Sequence, residues 1–133
     1  MLDDSKPFSS FSIDDVAKAK KFYGDVLGLT VKEQGSMGLE LNLNGGMRVF
    51  LYPKPNHEPA TFTVLNFVVD DLEKTVDDLA AKGVTFEHYD EDMLKTDKKG
   101  IAHSGSPEQS PDIAWFKDPA GNTLAVLHSN VSE

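Results

Sequence analysis

The sequence predicts an α+β fold of two tandem βαβββ modules. Three observations predict it. The octet FSIDDVAK at residues 11–18 returns as FVVDDLEK at 67–74. At the Asp pair of each copy the apolar period changes from two to about 3.6, as it does where a strand runs into a helix. Beyond each helix come three strand-like runs, so both copies read strand, helix, strand, strand, strand.

In the first copy Phe11 and Ile13 alternate with Ser10, Ser12 and Asp14, the pattern of a half-buried strand. Val16, Ala19, Phe22, Tyr23 and Val26 then recur at helical spacing, with Lys18, Lys20, Lys21 and Asp25 opposite. Asp14 or Asp15 is placed to cap this helix, because a carboxylate accepts the free N–H groups of the first turn. Gly24 weakens the helix near its end, and Gly28 is placed to stop it. In the second copy Leu65, Phe67 and Val69 alternate, and Asp70 or Asp71 caps. Leu72, Val76, Leu79 and Ala80 form the helix stripe, and Gly83 takes the part of Gly28.

Short strands follow at LTVKE (29–33) and VTFEH (84–88). GLELNLN (38–44) and MRVFLY (47–52) are joined through Asn44, Gly45 and Gly46, a turn sequence. DIAWFK (112–117) and NTLAVLH (122–128) are joined through Asp118-Pro119-Ala120-Gly121, another. The chain thus reads as a single domain, 1–133, with modules at 8–52 and 62–128. The linker, 53–61, is stiffened by prolines that cannot donate to a ladder. The halves differ at 90–111, a long loop in the second. It is either a lid, with Met93, Leu94 and Ile101 to cover an apolar pocket, or a surface excursion.

A chain of 133 residues can own a proper core, and its 39% apolar content argues against disorder. Lys and Arg number 13 against 22 Asp and Glu, a net charge of −9. That balance speaks against nucleic acid and anionic membrane as partners, and permits a cationic ligand. The absence of cysteine removes disulfides, thiolate metal sites and thiol nucleophiles. With no secretory pattern at the N-terminus and no long apolar run, a cytoplasmic protein is expected.

The two modules, with FSIDDVAKAKKFYGDVLGL (11–29) and WFKDPAGN (115–122) in the ending FKDPAGNTLAVL (116–127), resemble the vicinal oxygen chelate superfamily. That group includes glyoxalase I, bleomycin-resistance proteins and extradiol dioxygenases, and the likeness runs from about Phe8 to His128. It implies that the curved mixed sheets of the two modules form a cup with a divalent metal at its base. The ligands are four inward His, Glu or Gln side chains, from the first and last strands of each module, with two sites left for a substrate's adjacent oxygens. Carried over residue by residue, those positions are Phe8, Phe50, Val64 and Ala125. Nor is there a His, Asp, Glu or Gln within two residues of any of them. The expectation is therefore no metal and no cofactor.

With those four side chains inside, the cup is expected to be largely apolar. Ser10, Ser12, Tyr52, Asn66 and Leu127 share the inward parity. Trp115 joins them only if the 112–128 hairpin keeps its register, since one residue of slip reverses the face. The expected ligand pocket is thus Phe8, Ser10, Ser12, Phe50, Tyr52, Val64, Asn66, Trp115, Ala125 and Leu127. The filled, purely structural cup is the competing reading. For acid–base chemistry the candidates are Glu40, on a face with Asn42 and Asn44, and His103, beside Ser104. His57, His88 and His128 read as solvated or locally bonded, and no HxH or HExxH spacing occurs.

The leading expectation is a metal-independent protein like the bleomycin-resistance branch, binding a small organic molecule. The alternative is a lyase, isomerase or dioxygenase-type enzyme using a displaced metal or Glu40 and His103. Whether the protein is an enzyme stays open in the sequence. A homodimer is expected because superfamily members often pair.

Overall fold

The computed structural model describes residues 1–91, 94–103 and 112–128. It divides into two compact units, Met1–Pro59 and Ala60–Glu133.

In the first unit β1 (Ser9–Ile13) leads into α1 (Val16–Lys20), which continues as a π-helical turn (Lys21–Val26). β2 (Thr30–Glu33), β3 (Leu39–Asn42) and β4 (Arg48–Pro53) follow. The sheet order is β1-β4-β3-β2, with β1 parallel to β4 and the other pairs antiparallel. Asp15 is the cap, its Oδ1 accepting from the Lys18 N–H at 3.0 Å. The strand alternation expected from the sequence is present: Ile13, Leu39, Leu41, Val49 and Leu51 are buried with Ala19 and Tyr23. Each fully buried aliphatic of this kind contributes roughly 1.5–3 kcal/mol relative to exposure. The wide π-turn, closed by the Leu27 N–H to the Phe22 carbonyl at 2.9 Å, accommodates two adjacent rings. Tyr23 meets Phe22 edge-on at 5.3 Å between ring centroids.

In the second unit the elements are β5 (Thr63–Val68), α2 (Leu72–Ala81), a small hairpin of β6 (Asp90–Glu91) and β7 (Leu94–Lys95), β8 (Ile101–Ala102), β9 (Asp112–Lys117) and β10 (Thr123–His128). The order β5-β10-β9-β8 repeats the first unit's plan, with β5 parallel to β10. Asp71 caps α2 through the Lys74 N–H at 3.1 Å. Leu65, Ala114, Phe116, Leu124 and Val126 are buried with Leu72 and Val76 of the helix. The expected stripe loses one member: Ala80 is exposed, while Leu79 is half-buried.

Three sequence expectations need correction. Residues 84–88 form no strand; only Phe86 bridges β9, opposite Phe116. The edge beside β9 is shared instead. The Glu87 N–H donates to the Trp115 carbonyl at 2.8 Å, and the chain then departs and returns as β8, pairing Ile101 with Ala114. A turn at Gly100 lies so close to Phe86 that a Cβ there would stand 2.8 Å from the Phe86 Cβ. Consequently the described residues 90–91 and 94–103 hold paired strands, a turn and an edge strand rather than loop alone, and Ile101, 1% exposed, belongs to the core instead of covering a pocket. Asn44 lies beyond β3 in a turn, not on the Glu40 face. Met93 and Ser104 lie outside the described residues.

The Asp118-Pro119-Ala120-Gly121 turn is held by a buried carboxylate. Asp118 Oδ1 accepts from the Ala120 and Asn122 N–H groups at 2.9 and 2.8 Å, and Oδ2 accepts from Asn122 Nδ2 at 3.1 Å. This fixes the β9–β10 register, with Trp115 opposite Ala125. Among the described residues no helix is long and apolar enough to cross a membrane.

Gly38 offers a sharp test of the first sheet. Its φ is +128°, and a Cβ would overlap the Leu51 carbonyl oxygen in the neighbouring strand. We expect Gly38→Ala to destabilise the protein by roughly 3 kcal/mol or more, against about 1 kcal/mol for Gly45→Ala, which has positive φ but open surroundings. Urea unfolding of both variants checks the order.

Candidate ligand site

Because β1 pairs in parallel with β4, α1 packs on one face of the first sheet and the alternate side chains share the other. The ladder sets their positions: Ser10 lies beside Phe50, Phe50 beside Glu40, and Glu40 beside Lys32. Ser12 lies beside Tyr52, and Arg48 beside Asn42. A pocket of about 230 Å³ opens on this unit, lined by Phe8, Gln34, Glu40, Arg48, Val49 and Phe50. A larger groove of about 490 Å³ runs along the helix side, between Lys20, Lys21 and Val31, but no aromatic ring lines it.

Arg48 organises the smaller pocket. Its Nη1 lies 3.4 Å from Glu40 Oε1, and its guanidinium stands 5.6 Å from the centre of the Phe8 ring. The side chain of Arg48 is 42% exposed and that of Glu40 17%. At that length and exposure the ion pair contributes at most about 1 kcal/mol, and the stacking on Phe8 about 0.5–1 kcal/mol. Beside Arg48 in the ladder, Asn42 Nδ2 is buried without a hydrogen-bond partner, the only such side-chain atom among the described residues. On the same face Ser12 Oγ and His57 Nδ1 share a 2.6 Å hydrogen bond. Arg48, Gln34 and His57 were not singled out by sequence parity. The Arg48 position, two residues before Phe50 on one strand, was the available signal.

The sequence-chosen residues of the second unit lie on the corresponding sheet face, away from α2. Ala125 lies between Asn66 and Trp115, and Leu127 between Val68 and Ile113. The register thereby assigns Trp115 the face that the sequence left open, and Tyr89 meets it edge-on at 5.8 Å. Val64 sits where the ladder shifts, between the Thr63–Thr123 and Leu65–Leu124 pairs, so its strand carries an extra residue there.

Of the acid–base candidates, Glu40 lines the first unit's pocket and His103 is in the second unit. Both His103 ring nitrogens face carboxylates, Nε2 to Asp97 at 2.8 Å and Nδ1 to Asp112 at 3.3 Å. The hydrogen bond to Asp97, aided by Asp112 and opposed by burial, raises the imidazole pKa. Burial pushes Asp97 upward, but its bonds from His103 and from the Ile101 and Lys99 amides outweigh this and leave it lowered. A ring so clamped is a cross-link first; it has no free nitrogen with which to act as a base. His88 and His128 donate to the Lys98 and Val69 carbonyls at 3.0 and 3.1 Å.

The residues at the expected metal positions do not fit a divalent ion. Phe8, Phe50, Val64 and Ala125 carry no ligating atom, and Glu40, the carboxylate nearest in register, is engaged by Arg48. Among the described residues no three His, Cys, Asp or Glu side chains gather as an ion requires. The charge is also unevenly shared. Residues 1–59 hold eight acidic and seven basic side chains, a net −1, and residues 60–133 hold fourteen and six, a net −8.

Residues 10–126 match the family model of the Glyoxalase/Bleomycin resistance protein/Dioxygenase superfamily. The chain is 36% identical over 110 residues to the uncharacterized protein YwkD of Bacillus subtilis (strain 168), covering 73% of this chain and 84% of that one. Among solved structures it is similar to TnmS3, an antibiotic binding protein from Streptomyces sp. CB03234, with a TM-score of 0.64, 21% identity and coverage of 96% and 98% of the two chains. A glyoxalase/bleomycin resistance protein/dioxygenase from Alicyclobacillus acidocaldarius gives a TM-score of 0.69 at 15% identity, with 96% and 93% covered. At these identities the structures share the fold.

The His103 clamp predicts a pH dependence whose sign is fixed. A raised imidazole pKa stabilises the fold fully below about pH 6.5, the unfolded value, and this stabilisation is lost as pH rises through the higher folded value. Wild-type melting temperature is therefore expected to fall relative to His103→Gln between about pH 6 and pH 9. Parallel melting-temperature profiles of the two proteins would show no such convergence if the clamp were absent.

Proposed function

Because the chain belongs to the glyoxalase/bleomycin resistance protein/dioxygenase superfamily, we propose that it binds a small organic molecule without a metal, on the open face of its sheet. One observation carries the reading. Where the family's ligands are expected, the first unit has aromatic rings, and a pocket opens between Phe8 and Phe50. A concave site with rings and a few polar groups suits an organic guest. The likeness to TnmS3, described as an antibiotic binding protein, supports the same reading at the level of the fold. Ser10, Ser12 and Tyr52 supply polar atoms on the face that Phe50 shares. On the second unit's own sheet, Val64, Asn66, Trp115, Ala125 and Leu127 are proposed as the corresponding ligand-facing set. The protein is taken as a cytoplasmic homodimer, from the superfamily's habit of pairing.

Ligand binding to the native state must raise its stability, by about 2.7 kcal/mol at a hundredfold excess over Kd. In a thermal-shift screen we expect aromatic compounds to raise the melting temperature and Phe50→Ala to weaken their binding at least tenfold. Zinc, nickel, manganese and iron(II) are expected to leave the melting temperature unchanged. One tightly held metal ion per chain would defeat the proposal.

The position of Glu40 in the pocket favours a second reading, an enzyme in which this carboxylate acts as base. If turnover is found, Glu40→Gln is expected to lower kcat at least a hundredfold, in the range general-base catalysis supplies. Unchanged kcat would remove Glu40 from that role.

A further inference from the structure

We propose that the first unit's pocket selects flat aromatic compounds bearing an anionic oxygen, with Arg48 as the residue that sets this preference. This rests on the binding reading above and names its ligand class. The net charge of −9 points the other way, toward cationic guests, but most of that charge lies in the second unit. What a ligand meets locally is different.

Three charged side chains share the open face at this level. Glu40 is flanked by Arg48 at 3.4 Å and by Lys32, its direct cross-strand neighbour. Glu33, next along β2, points to the helix side, where it pairs with Lys20 at 3.3 Å. The local balance is therefore one positive charge in excess. A cationic ligand would add a third cation around one carboxylate. An anionic oxygen restores neutrality.

The donors agree with the charges. A guanidinium offers five N–H groups in a planar fork matched to carboxylate geometry, and Arg48 uses one of them on a long contact with Glu40. Asn42, across the ladder from Arg48, does not line the pocket and its Nδ2 is buried, so the guanidinium is the donor a ligand meets. Arg48 is the one cation lining the pocket, and four of its five N–H groups are unused by Glu40. The rings of Phe8 and Phe50 supply the faces on which a flat ligand body can lie, and the guanidinium already rests over Phe8. Glu40 then acts as a placeholder, holding Arg48 until a ligand oxygen takes over its donors.

The test uses three probes of one shape: 2-naphthoate, 2-naphthalenemethanol and 2-naphthylmethylammonium, titrated calorimetrically into the full chain at low salt. The expected order in the wild type is naphthoate at least tenfold tighter than the ammonium, with the alcohol between. Arg48→Gln should weaken naphthoate at least tenfold while changing the alcohol less than threefold. Arg48→Lys should retain part of the anion preference, and Glu40→Gln should tighten naphthoate. Equal weakening of all three probes in Arg48→Gln would reduce Arg48 to a packing role and overturn the proposal. Tighter binding of the ammonium, or weaker naphthoate binding in Glu40→Gln, would overturn it also. Either result leaves metal-free binding standing, because a probe has bound. Failure of all three probes to bind the folded wild type would overturn both.

Discussion

The parallel pairing of each unit's first strand with its last is the constraint on which the rest depends. Parallel neighbours cannot be joined by a tight turn, so the chain must cross over, and here the crossover contains the helix. Once α1 covers one face of β1-β4-β3-β2, the apolar alternation has a single place to go, and Ile13, Leu41, Val49 and Leu51 go there. The other face is then left to Ser10, Ser12, Glu40, Asn42, Phe50 and Tyr52. A ligand face is thus a by-product of the crossover. The second unit repeats the same logic with β5, α2 and β10.

That face is neither a second core nor a plain solvated surface. A core would bury the charges at a cost of several kcal/mol unless each were paired and hydrogen-bonded. A solvated surface would have no reason to gather rings. Arg48 reconciles the two, covering the Phe8 ring with its planar head while keeping Glu40 in partial balance. Both interactions are weak, and both can be exchanged for ligand contacts without unfolding anything.

The longer elements were legible in the sequence because their signals are local. The pairs Asp14-Asp15 and Asp70-Asp71 announced caps, with the second of each in the role, and the runs around Leu41, Leu51 and Phe116 announced strands by period. The second unit's edge was not legible. Two-residue strands such as Ile101–Ala102 have no period to detect, and the edge is assembled from Phe86 and β8, which are far apart in the chain. The face of Trp115 depended on a register that only the Asp118 turn could fix. The candidate site was half legible. Parity put Phe50, Ser10 and Ser12 on one face, but which charges converge there is a cross-strand property. Arg48 meets Glu40 only because β3 and β4 are antiparallel in one register. The clamp on His103 was hidden for the same reason, since Asp97 and Asp112 come from either side of it in the chain.

The repeated octet carries a consequence for synthesis. As the chain leaves the ribosome, β1 is complete at Ile13 but its neighbour among the described strands begins at Arg48, so the nascent strand must wait unpaired while a helix and two strands are made. β5 waits in the same way for β10. Each waiting strand runs into an Asp-Asp pair that caps the next helix, and a second nascent chain presents each with a substitute for its own neighbour. Strand exchange between copies is the characteristic failure of such architectures. The first unit's strands are all complete by Pro53, so its own β4 is at hand for β1 before β10 exists to compete.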